Sequence, residues 1–81
     1  NSEARRAFYD YFEKDENLAV NLDNAILSAL RPDWKRNFQK QRKIKNAIYN
    51  GLKTEGYNED EATQETATVF EIAERQAGYD V

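Results

Sequence analysis

Neither cysteine nor histidine occurs anywhere in the chain. Without cysteine there is no disulfide, no thiolate nucleophile and no zinc thiolate site. Without histidine the usual general base, the imidazole of a catalytic triad and the commonest metal ligand are all missing. The chemistry left open would need carboxylates converging in a dry pocket, to hold a hard cation or to divide acid and base roles. The acids here are dispersed. Glu59, Asp60 and Glu61 lack the alternating spacing and central glycine of a calcium loop, and first-turn acids that complement a helix dipole account for them. No Gly-rich phosphate loop, Gly-Lys-Ser/Thr or Gly-x-Ser-x-Gly element occurs. A chain with no catalytic residue, cofactor or metal of its own is expected, so its function should be binding.

Breakers are scarce too: one proline and three glycines punctuate the sequence, which leaves little room for strands and tight turns. No apolar run approaches the about 20 residues of a membrane span, and no charged stretch leading into an apolar core marks a signal peptide. No membrane contact and a cytoplasmic setting are the expectation. What is present is 40% apolar and 33% charged residues, too apolar for a disordered tail. The 81 residues suit one helical domain, and a domain so small buries only roughly 60% of its unfolded surface. Ten aromatic residues supply much apolar area from few positions.

Periodicity is helical almost throughout. Ser2 is placed to cap a first helix with Ala4, Phe8, Tyr11 and Phe12 on one stripe, fading near Asp15 to Asn17. Leu18, Val20 and Leu22 alternate briefly. Asp23 then reads as the cap of a short helix with Ile26, Leu27 and Leu30 inward, stopped by Pro32. Asp33 or Asn37 can cap a long helix from about Phe38 to Glu55 that buries Phe38, the Gln41 stem, Ile44, Ala47, Ile48, Gly51 and Leu52, with Gly56 in a left-handed turn after it. Asn58 and Glu61 form a capping-box pattern opening the last helix. Its stripe is Ala62, Thr66, Val69, Phe70, Ala73 and Ala77, closed by Gly78. The fold class expected is all-α, a small bundle of three to four helices ending in an antiparallel helical hairpin.

Net charge is −3, unevenly distributed. Between Arg31 and Lys45, seven cations stand against Asp33 alone; from Thr54 to Val81, eight acids stand against Arg75. The stretch Trp34 to Lys45 is the most distinctive, combining an aromatic, amides and six cations. It can be read as a phosphate-contacting band, as a protein-docking face, or as a solvated helix side that pairs with the acidic last helix. An overall acidic domain repels a phosphate backbone at range, which favours the latter two. Trp34 is either an exposed anchor, as tryptophan often is at interfaces, or more simply the core plug of a small domain. Phe8, Tyr11 and Phe12 sit among acids and read as core. The candidate partner-binding residues are Trp34, Lys35, Arg36, Asn37, Lys40, Arg42 and Lys43.

Four segments carry a resemblance: Leu22-Asp23-Asn24-Ala25-Ile26-Leu27; Arg31-Pro32-Asp33-Trp34-Lys35-Arg36-Asn37; Lys40-Gln41-Arg42-Lys43-Ile44-Lys45-Asn46-Ala47-Ile48; and Val69-Phe70-Glu71-Ile72-Ala73-Glu74-Arg75-Gln76-Ala77-Gly78-Tyr79. In this order and spacing they resemble the C-terminal end of the R (motor) subunits of type I restriction enzymes. The resemblance implies that residues 1–81 are a C-terminal fragment of a much larger bacterial defence enzyme, with a nuclease domain and two helicase-like domains that cleave and pump DNA using ATP and Mg. It implies no enzymatic activity for this piece. Its part would be assembly: docking the motor onto the methyltransferase and specificity subunits, with DNA met through the whole complex.

Overall fold

A computed structural model describes all 81 residues. Four helices follow one another without any strand: α1 (Ser2–Tyr11), α2 (Glu16–Ala29), α3 (Phe38–Thr54) and α4 (Glu59–Glu74). Single 3₁₀ turns lie at Trp34–Arg36 and Ala77–Tyr79. The all-helical class and the closing antiparallel hairpin are as the sequence leads one to expect. No helix is long and apolar enough to cross a membrane.

The caps explain the boundaries. Asn1, one residue before the expected Ser2, caps α1 by accepting from the Ala4 N–H at 3.1 Å. The helix ends at Tyr11, earlier than expected, because Glu13 and Lys14 both take positive φ (55° and 71°), a region helices do not use. Asp15 then accepts from the Leu18 N–H at 3.0 Å and opens α2. This overturns the expected short helix capped by Asp23. Leu18, Leu22 and Ile26, four residues apart, form one buried row of a continuous helix, and Asp23 lies fully buried in its middle. Leu27, expected inward, is exposed.

Asn37, not Asp33, caps α3, accepting from the Lys40 N–H at 3.0 Å; Asp33 sits in the left-handed region and makes no cap bond. Ile44, Ile48 and Leu52 are buried along α3 as the periodicity requires, but Phe38, placed first on that face, is exposed. Gly56 at φ 97° reverses the chain after α3, and the Tyr57 N–H returns to the Leu52 carbonyl at 3.1 Å. Both bonds of the Asn58–Glu61 capping box form, at 2.8 and 3.1 Å. Helix α4 buries Ala62, Thr66, Val69, Phe70 and Ala73 as read, and Ile72 in addition. It stops at Glu74, which leaves Ala77 exposed and outside it.

The connection Glu55 to Asn58 makes α3 and α4 an antiparallel pair, with α2 packed on α3 and α1 on both α2 and α4. Helix α1 runs opposite to α4: Asn1 lies beside Gly78, while Tyr11 donates to Glu65 at 3.2 Å and Phe12 meets Tyr57 edge-on at 6.2 Å. Sixteen buried apolar residues from all four helices and both turns form one cluster.

Candidate functional site

Asp23 is the one carboxylate fully inside the bundle, and its partners come from three places in the chain. The Tyr79 hydroxyl donates to Oδ1 at 2.6 Å. Arg5 Nε and the Asn1 backbone nitrogen donate to Oδ2, at 2.7 and 2.9 Å. Burial pushes the Asp23 carboxyl up, but the hydrogen bonds from Tyr79, Asn1 and Arg5 together outweigh it and hold the group below its ordinary value. Burial, and then the bond to Asp23, push the Tyr79 phenol far above its usual range. The Tyr79 carbonyl also accepts from Trp34 Nε1 at 2.7 Å. One tyrosine thus ties α2 to the turn before α3. The Asp33 N–H to Val81 carbonyl bond at 2.9 Å and a Lys35–Asp80 ion pair fasten that turn to the segment that carries Tyr79. No buried polar side-chain atom of this cluster lacks a partner, and Asp23 and Tyr79 are shut off from solvent, which makes the pair structural. No group of three or more acids is arranged to hold a metal ion.

The basic band resolves into two parts. Trp34 is a correction to the candidate set: it is 1% exposed, edge-on to Phe70 at 5.8 Å, and belongs to the core. Lys35 lies over the Trp34 ring at 5.6 Å and pairs with Asp80. The Asn37 side chain is occupied by its cap, and Lys40 Nζ donates to the Pro32 carbonyl at 2.6 Å. These four residues build the turn that launches α3. Lys45, on the same helix, lies over the Phe70 ring at 4.6 Å.

The other part faces solvent. The Arg36 side chain is 87% exposed and comes no closer than 4.0 Å to Asp33. Arg42 and Lys43 take part in none of the ion pairs and line a shallow recess with Gln39 and Asn46. The pairing of this face with acidic α4, one of the sequence readings, does not occur. The acids gather elsewhere. Tyr57, beneath α4, has its phenol pushed up by burial and then by Glu65, Asp15 and Glu61, so the negative pole lies at the far end of the hairpin from the start of α3.

Sequence reasoning missed Asp23 and Tyr79 as a buried pair and Phe38 as a surface residue. The four-residue spacing of Leu18, Leu22 and Ile26 was the available signal for the first. For Phe38 the signal was its place as the first residue of α3, before the helix has a neighbour to pack on. What the arrangement offers chemically is a donor-rich, cationic, exposed strip held by a rigid turn. Comparison with protein-family models, curated proteins and solved structures finds no match.

Proposed function

We propose that the chain is an assembly module, the C-terminal helical piece of a type I restriction motor subunit, which holds that subunit to its methyltransferase core through the exposed start of α3. The observation that carries the reading is the solvent-facing strip of Arg36, Arg42 and Lys43: Arg42 and Lys43 enter no ion pair of their own chain, and Arg36 meets only Asp33, at 4.0 Å with both side chains largely exposed. Like the order of the sequence segments, it supports the reading. A long cationic side chain kept out of internal pairs is available to an acidic partner, where it steers encounter and fixes register. In this reading the chain works in the cytoplasm and supplies no catalytic group, and ATP and Mg belong to the parent enzyme. DNA is reached through the complex.

The test uses the full motor subunit and its purified methyltransferase assembly. Reversing Arg36, Arg42 and Lys43 to Glu should weaken the complex by at least about tenfold, as like charges then face the partner. Assembly at unchanged affinity would remove this surface from the reading. A second reading has its own support: Gln39 and Asn46 flank Arg42 and Lys43, a donor set that also suits phosphate oxygens. Titrating a plain duplex over a range of salt separates the two. Direct backbone contact gives a log–log slope of roughly −0.9 per phosphate neutralised, and a flat profile discards it.

A further inference from the structure

Phe38 opens α3 with 70% of its surface exposed, more than any other large apolar residue of the chain. Solitary surface aromatics are ordinary. This one has company: Arg42 stands one turn further along the same side of the helix, and Arg36 precedes it by two residues. An aromatic ring beside arginines is the combination in which protein interfaces concentrate their binding energy. Trp34, the aromatic first considered for that part, is buried and unable to play it.

We propose that Phe38 is the anchor of the docking face, and that its partner is a protein surface presenting an apolar recess rimmed by carboxylates. The inference rests on the assembly reading above and adds to it the anchor and the partner's chemistry. Charge complementarity selects the occupant. The strip is cationic on a chain of net charge −3, so an acidic-rimmed partner is attracted to this strip and repelled by the acidic pole, which imposes one orientation. A phosphate backbone would satisfy the cations but offers the ring no apolar recess. Aromatics that stack on single-stranded bases sit in grooves basic along their length, whereas this strip belongs to an acidic molecule.

The experiment measures the affinity of the full motor subunit for its purified methyltransferase–specificity complex at low and high salt, for wild type, Phe38→Ala, Phe38→Leu and the pair Arg42→Glu/Lys43→Glu. Circular dichroism checks folding, which an exposed ring should not disturb. Phe38→Ala should bind about 10–100-fold more weakly with the salt dependence unchanged, and Phe38→Leu should stay within about threefold of wild type. The charge-reversed pair should bind weakly with a flattened salt dependence. Wild-type affinity for Phe38→Ala alongside loss in the charge-reversed pair would overturn the anchor and leave the assembly reading standing. Wild-type affinity for both would overturn both. Weakened binding of Phe38→Ala to a plain DNA duplex, with methyltransferase affinity intact, would overturn the choice of partner.

Discussion

Tyr79→Phe removes one oxygen from the interior and should lower stability well beyond the loss of its contacts. The hydroxyl is the only donor to Asp23 Oδ1, since Arg5 and Asn1 both bond Oδ2. Phenylalanine fills the same space, so no cavity forms and the whole effect falls on Oδ1, one buried oxygen of a charged carboxylate left without a donor while Oδ2 keeps its two. Hydrogen bonds to charged groups contribute about 1.5–3 kcal/mol. At about 2 kcal/mol the melting temperature of a domain this size falls by roughly 8–16 °C. The pH dependence supplies a signature that a packing fault would not give. Asp23 is held below its ordinary value when folded, so its stabilising share is complete above the unfolded value of about 3.9 and drains as pH falls through the folded one. The substitution removes the foremost contribution holding that value down and leaves burial, which raises it. The wild-type and variant stability curves should therefore converge in acid. In base the order is reversed: Tyr79 is held above its ordinary value, so its share is complete below about pH 10 and is lost as pH rises beyond, a slope the variant lacks. Calorimetric melts from roughly pH 3 to pH 11 read both limbs. A variant melting within about 2 °C of wild type at neutral pH, with unchanged slopes, would refute the reasoning.

Three further outcomes test the packing. Ile48→Ala, at a fully buried position of α3, should remove about 2–5 kcal/mol, read by urea denaturation; a loss below about 1 kcal/mol would mean the site collapses around the change. Gly51→Ala should stabilise by about 0.5–1 kcal/mol, because the new Cβ would meet Leu22 at 3.6 Å and Ala25 at 3.9 Å, ordinary contacts between α2 and α3. Destabilisation in the same assay would contradict that geometry. Gly78→Ala would place a Cβ 1.6 Å from Asn1 Nδ2 and displace the side chain that caps α1. A loss of about 0.5–2 kcal/mol, with faster hydrogen exchange at the Ala4 amide, is the expected result.

The helical class, the α3–α4 hairpin and the capping box were legible because each is written in neighbours: apolar steps of three and four, a glycine after the last turn, an asparagine three before a glutamate. Asp23 was not. A lone acid in an apolar pattern reads as a cap because burying it unpaired is prohibitive, and the tyrosine that makes burial tolerable lies 56 residues away. Trp34 was legible in part: a lone tryptophan in a small domain reads as its core plug, as found, yet its cationic neighbours kept it among the docking candidates, because the bond to Tyr79 that fixes it inside spans 45 residues. Of the candidate docking residues, charge alone did not distinguish Arg42 and Lys43, which point to solvent, from Lys35 and Lys40, which are consumed by a carboxylate and a carbonyl near the turn.

The Tyr79 clasp also bears on synthesis. A nascent chain whose residue 79 is still inside the ribosomal tunnel holds Asp23 with one oxygen unanswered and Trp34 without its acceptor. Helices α1 to α3 can then be present in outline while the interior of α2 remains unfavourable to close. Only when the segment around Tyr79 has emerged is the polar interior complete, so closure of this module waits for residues that follow all four helices.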